Sequence, residues 1–402
     1  MRIRILCLLT LGFPCFHAAA ADEPFQPAAV HLGPIEFSPQ LGLKEEYDSN
    51  FYHQAFNEQQ FQVQILNLDL LAKTFAGPNQ YSFDYQSEAG FVENSARDNY
   101  VDQQANLTGQ WLLGARHRFE LSGRYQQDHD RRGTGYFQGN QALLIGEPPR
   151  YQMNSILGRY SYGADGARGR LVFELEGADK TYLNLRELTR DNDHSEVKGD
   201  ATFYWRMVGT LKALLETTQG RINYYHTPVT NPEGNRDSQF SRYLTGITWK
   251  IAGKTSGTFK LGYATKDFAD RSRRDFAGAS WSGQLNWSPQ HTTTLSLTSG
   301  RQTDESYGRG DYIDATNWGV EWRQRWLERV ASHVHYDRSR ETYKGDPEGR
   351  DDDIARYGFD VDYYMRRWLA LELFYVQELH QSNLASYDYQ RDLAGLALRA
   401  SL

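Results

Sequence analysis

The chain has 402 residues, 39% hydrophobic and 14% aromatic, with 44 Lys and Arg against 51 Asp and Glu for a net charge of −7. That mild acidity argues against a nucleic-acid partner. A mean hydropathy of −0.70, with no apolar run after the N-terminus long enough for a helix to span a bilayer, excludes a helical membrane protein. A transmembrane barrel stays open, because only alternate residues of its strands need meet lipid.

Residues 1–21 read as a signal peptide: Arg2 and Arg4, an apolar run from Ile5 to Phe13, then the small residues Ala18 to Ala21. Both cysteines, Cys7 and Cys15, fall inside it, and Pro14 stands before Cys15 where lipidation needs a small residue. Cleavage would leave 42 basic against 51 acidic residues, a net charge of −9, and a chain that disulfides cannot hold. Residues 22–33 are expected to be a short periplasmic segment ahead of the barrel at 34–402.

From residue 34 the chain divides into segments rich in Tyr, Phe, Trp, Leu, Val and Thr. The first nine are 34–48, 60–75, 79–93, 99–113, 115–129, 151–163, 167–183, 194–207 and 209–225. The second nine are 237–252, 255–269, 274–288, 290–304, 312–327, 329–343, 352–366, 368–381 and 387–402. Turn-like joints such as AGPN and IAGK alternate with long polar connections such as YHQAFNEQ, residues 130–150 and KGDPEGRDD. An even count with short turns at one rim and long loops at the other predicts an all-β fold, a transmembrane antiparallel up-and-down barrel of about 18 strands, with 16 as the alternative. Residues 130–150 are the longest candidate for a loop folded into the channel.

Period-two alternation gives each segment two faces. In NWGVEWRQRWL, Trp318, Trp322 and Trp326 alternate with Glu321, Arg323 and Arg325. In a barrel the apolar set faces lipid and the charged set faces the wet lumen. On this rule Trp205, Trp281, Trp287, Trp318, Trp322 and Trp326 belong to an outer aromatic girdle. Lys198, Asp200, Tyr204, Arg206, Glu321, Arg323, Arg325, Asp360, Asp362, Tyr364, Arg391 and Arg399 line the lumen, where they offer hydrogen bonds and ring faces. The second segment breaks the pattern, since Ile65, Leu66, Leu68, Leu70 and Leu71 occupy both faces; a bulge or an inward loop would explain it. Ala394, Leu396, Leu398, Ala400 and Leu402 form a closing apolar stripe.

EEYDSNFY at 45–52, the stretches at 242–268 and 276–302, and the closing SYDYQRDLAGLALRASL together resemble the outer-membrane barrels of exopolysaccharide-synthesis loci, the EpsL type of the β-barrel porin 2 family. The resemblance covers nearly the whole chain after residue 21. It implies a channel in the outer membrane that takes part in exporting a secreted polysaccharide, with periplasmic export and polymerisation proteins as partners. The closing apolar stripe resembles the signal read by the outer-membrane assembly machinery, and lipopolysaccharide and the membrane are the other expected partners. A diffusion porin, general or solute-specific, is the alternative. The family offers no catalytic motif to carry over, so no enzyme activity and no cofactor are expected.

Other constellations have plain readings. His333, His335 and Asp337 share a strand face at a spacing that suits a metal, but read as lumen polar residues, so no metal is expected. Asp128, His129 and Asp130 lack a nucleophile motif that would make them part of a lipase or acyltransferase site. The acidic run Asp351, Asp352, Asp353, with Asp346 and Glu348, reads as a solvated external loop.

Overall fold

The computed structural model describes residues 29–401 apart from 165, 228–233, 252 and 308. The expected signal peptide, residues 1–21, and Leu402 therefore lie outside the described residues. Nineteen strands carry the fold. The first ten are β1 (Val30–Leu32), β2 (Ile35–Asp48), β3 (Phe61–Ala76), β4 (Asn79–Val92), β5 (Tyr100–Leu112), β6 (His117–His129), β7 (Arg150–Tyr162), β8 (Gly169–Tyr182), β9 (His194–Val208) and β10 (Leu211–Tyr224). The rest are β11 (Ser238–Ile251), β12 (Thr255–Phe268), β13 (Phe276–Gln290), β14 (Thr293–Glu305), β15 (Tyr312–Leu327), β16 (Val330–Lys344), β17 (Asp351–Arg366), β18 (Leu369–Ser382) and β19 (Tyr389–Ser401).

Each strand from β2 onward pairs antiparallel with the next, and β19 returns to β2, with Leu398 opposite Leu43 and Leu393 opposite Asp48. The result is a closed 18-stranded barrel plus the short β1, which folds back on the start of β2. Closure gives every ladder N–H and C=O a partner, which a strand needs before it can cross hydrocarbon. Among the described residues no helix is long and apolar enough to cross a membrane. All eighteen expected segments are strands whose ends fall within about three residues of the expected ones, because alternation and turn residues mark both ends. Within the expected N-terminal segment 22–33, Val30–Leu32 forms a strand.

The second segment keeps a regular register as β3 throughout. Its mixed pattern has a different cause. Val63 and Ile65 face inward and pack with Phe51, Tyr52, Val92 and Ala142 in an apolar cluster, with Phe61 at its edge. Phe51 and Tyr52 come from the β2–β3 loop and Ala142 from the β6–β7 loop, so the apolar lumen residues are the seat of loops folded into the barrel.

That contact fixes which face is the lumen, and the register carries the assignment around the ring, because directly paired residues share a face. Val63 pairs with Val92 on β4; Gly42, opposite Asn67 of β3, pairs with Arg399 of β19. The opposite parity presents Leu41, Leu43, Leu66, Leu396 and Leu398, all exposed, as the outer face.

Candidate functional site

The lumen is narrowed by residues 130–149, the connection between β6 and β7. Gly133, Gly135 and Gly139 adopt positive φ and turn the loop inward, and at Gly133 a Cβ would stand 1.8 Å from the carbonyl oxygen of Tyr52, so only glycine fits. Arg132 donates to both carboxylate oxygens of Asp98, at 2.6 and 2.5 Å, and to the hydroxyl of Tyr52 at 2.5 Å. Its remaining nitrogen reaches the carbonyl oxygens of Ile145, at 3.0 Å, and Ala142, at 3.4 Å, within the same loop. Ser95 and Tyr52 also donate to Asp98. Burial raises the affinity of Asp98 for a proton, but the hydrogen bonds from Arg132, Ser95 and Tyr52 outweigh it and hold the carboxyl below its ordinary range. Burial, with the bond to Asp98, pushes the Tyr52 hydroxyl up to about 12.

Beyond this anchor the loop reaches far from its root. Arg131 lies 3.2 Å from Asp48. Tyr136 packs edge-on against Tyr182 of β8 and against Tyr307 of the β14–β15 loop. Gln138 accepts from Arg350 of the β16–β17 loop, and Gly139 sits against the carbonyl oxygens of His53 and Ser386. A loop that leaves the wall at β6 and touches loops next to β15, β16 and β19 spans the bore.

All twelve expected lumen residues fall on the inner face, and most are paired there. Lys198 lies 2.8 Å from Glu176, and Asp200 accepts from Thr218. Tyr204 and Arg206 continue the same face of β9. Glu321 and Arg323 stand 3.7 Å apart, and Arg325 lies near the short-turn rim, its side chain 3.4 Å from the carbonyl oxygen of His291. Asp360 bonds His333 at 3.0 Å; Asp362 bonds Arg399 at 2.5 Å, with Glu372 3.4 Å from the same guanidinium. Two residues do more than line the channel. Arg391 grips Asp48 through two nitrogens, at 2.9 and 2.6 Å, directly under the loop anchor. Tyr364 is buried against Ala370 and Ala331 and packs the wall.

The six girdle tryptophans occupy the other face. Trp322 pairs with Leu295 and Val334, Trp281 with Leu261, and Trp287 with Leu295. Trp205, Trp287, Trp318, Trp322 and Trp326 are exposed on the outside, while Trp281 is half-buried and donates to Ser299 at 3.1 Å. Trp326 donates to Ser332 at 2.9 Å and meets Trp322 edge-on.

Sequence reasoning missed the inner partners Asp48, Glu176, Glu216 and Glu378. Glu216 lies 2.8 Å from Lys260, and Glu378 lies 2.6 Å from Arg356; alternation places each inward, but only the register says what stands opposite. Rows of uncharged donors and acceptors on β11 to β14 were also overlooked. Thr248, Thr258, Gln284 and Thr298 form one row across four strands, and Ser256, Asn286 and Ser296 form the next.

The remaining constellations resolve into structural roles. The run expected as a solvated loop instead opens β17: Asp352 is buried and bound by Arg350, and Asp353 by Arg338. His129 bonds Asp102 at 2.9 Å, and Asp130 accepts from Tyr182 at 2.7 Å, tying down the root of the inward loop.

Comparison with known proteins agrees with the architecture. Among solved structures the barrel is similar to the FrpB iron transporter of Neisseria meningitidis (F5-1 variant), with a TM-score of 0.51 at 11% identity over 86% of this chain and 63% of that one. This chain thus spans less than two thirds of the FrpB chain. OccK10 of Pseudomonas aeruginosa is matched with a TM-score of 0.46 at 12% identity, over 91% of this chain and 99% of that one. At 11% identity the likeness to FrpB is one of fold. No curated protein matches the sequence. The family described as putative beta-barrel porin 2 matches residues 23–402, almost the entire chain, and this outer-membrane, porin-like barrel belongs to that family.

Proposed function

We propose that the barrel is a channel for export of a secreted polysaccharide across the outer membrane. The observation that carries this reading is the chemistry of the wall. On β11 to β14 the lumen presents rows of hydroxyls and amides, and between and beyond those rows cations and carboxylates compensate one another at short range. A hydrated sugar chain needs many weak, exchangeable hydrogen bonds and no strong net field, and such a wall supplies both. Lys198, Asp200, Tyr204, Arg206, Glu321, Arg323, Arg325, Asp360, Asp362 and Arg399 are the proposed contacts; Arg391 and Tyr364 hold the wall and the loop in place. The periplasmic export and polymerisation proteins would meet the short-turn rim, and lipopolysaccharide the outer face. The sequence resemblance to barrels of exopolysaccharide loci favours the same reading.

A diffusion porin is the second reading, and one observation favours it: a loop pinned across the bore by buried pairs is a fixed narrowing, which suits small solutes. Deletion of the gene separates the two. Export predicts loss of surface polysaccharide and its build-up in the periplasm, with small-solute uptake intact, and partial restoration by a variant with Arg323, Arg325 and Arg399 neutralised. Unchanged surface polymer together with slowed solute uptake would leave the diffusion porin.

A further inference from the structure

Four side chains from three adjacent strands converge on one point of the lumen wall: Glu321 of β15, His333 and His335 of β16, and Asp360 of β17. Register dictates the convergence, since Glu321 pairs with His335 and Asp360 with His333. His333, His335 and Asp360 each bring a donor atom within 4.8 Å of the others. The Nδ1 of His333 is 3.0 Å from Asp360, and its Nε2 is 3.7 Å from Glu321. The two imidazoles lie side by side, with centroids 5.4 Å apart.

Two further observations distinguish this from an ordinary ion pair. Buried ring nitrogens here have no hydrogen bond: Nε2 of His333 and Nδ1 of His335, the latter residue only 9% exposed. An unsatisfied buried polar atom is costly and calls for an explanation. Moreover, the ring of His335 lies directly over Gly358, where any Cβ would come within 1.8 Å of the imidazole, so the ring has a seat that only glycine provides. A second cluster of His and carboxylates among the described residues, Asp102 with Asp128 and His129, differs, because Nδ1 of His129 already contacts both oxygens of Asp102.

We propose that His333, His335 and Asp360, with Glu321 as a fourth donor, form a site for a divalent transition-metal ion on the lumen wall. Two imidazoles and one or two carboxylates are the donor set of Zn²⁺ and its neighbours, not of Ca²⁺ or Mg²⁺, which take oxygen alone. A metal held by all four links β15, β16 and β17 from the inside. The inference is independent of what the channel carries.

The test uses the full-length barrel in detergent, with heat-modifiable mobility confirming that each variant is folded. Equilibrium dialysis with Zn²⁺ should find one equivalent that weakens at least tenfold in His335→Ala and in Asp360→Asn. Gly358→Ala should weaken it by roughly 10- to 100-fold through the displaced ring, the scale on which partners supporting a ligand act. Co²⁺ should give visible bands of nitrogen and oxygen coordination that vanish in His335→Ala. Wild-type protein without those bands at excess Co²⁺, or Zn²⁺ binding unaltered in a His333→Ala/His335→Ala double variant, would overturn the site and leave a His333–Asp360 ion pair, whatever the fate of the transport reading.

Discussion

Arg132 and Asp98 form a two-pronged ion pair at 2.6 and 2.5 Å, with side chains only 4% and 1% exposed, although they belong to different loops. One end of the pair is fixed beside β4 and β5 and the other lies on the loop that spans the bore, so this contact ties the loop to the wall.

Arg132→Ala is expected to release residues 130–149 while the barrel remains closed. Removing one partner of a buried pair typically costs about 3–5 kcal/mol, because the remaining charge is left uncompensated. The checks are single-channel conductance, which should rise, and chymotryptic cleavage near Tyr136 and Phe137, which should appear. In a double variant with Asp98→Asn the loss should be smaller than the sum of the two singles, since both remove one interaction. Additive losses would show that the two residues act separately.

Gly133→Ala should give a similar phenotype by a different route. The substitution keeps every charge but places a methyl group against the Tyr52 carbonyl at a residue whose φ is +93°, a backbone region that other residues rarely adopt. Wild-type conductance and protection would mean that the loop turn tolerates a side chain and does not hold the loop position.

The two faces of β15 are separable by adjacent substitutions. Trp322→Arg puts a charge on the exposed outer face, at a cost of about 2–4 kcal/mol if it lies near the bilayer midplane, whereas Arg323→Gln changes only the lumen wall. The folded fraction on heat-modifiable gels should fall for the first and hold for the second. Equal losses would contradict the face assignment.

Acid should loosen the loops. His53, in the β2–β3 loop beneath Gly139, is held down to about 3 by burial and then by the positive charge of Arg391. An undocked loop lets this imidazole take a proton below its ordinary value of 6.5, while the docked loop refuses it until about 3, so docking has full strength above 6.5 and weakens as the pH falls towards 3. Asp98, whose folded value is lowered, adds a loss of the same sign below its ordinary 3.8. Protection factors across 49–60 and 130–149, taken relative to the intrinsic exchange rate at each pH, should fall between pH 7.5 and 4.5, and His53→Gln should flatten that response. Exchange that follows only the intrinsic pH dependence in both proteins would rule out His53 as the trigger.

The sequence by itself determined the barrel and the face of most side chains, with about eighteen strands expected and sixteen as the alternative; closure of the sheet fixed the count at eighteen plus the short β1. Lipid and water impose their demands on alternate residues, so Trp322 and Arg323 declare their sides without reference to any distant part of the chain, and turn glycines such as Gly77 and Gly253 mark where several strands stop. Even the anomaly of β3 was legible, since apolar residues on both faces, Ile65 among them, called for a bulge or an inward loop. What covers it was not. Phe51 and Ala142 stand 91 positions apart, and only the closure of β19 on β2 and the sweep of the loop from β6 bring them together. The same holds for Arg391 with Asp48, and for the gathering of Glu321, His333, His335 and Asp360 from three strands. Those pairings depend on register and curvature, which arise when the sheet closes and leave no mark on the spacing of residues along one strand.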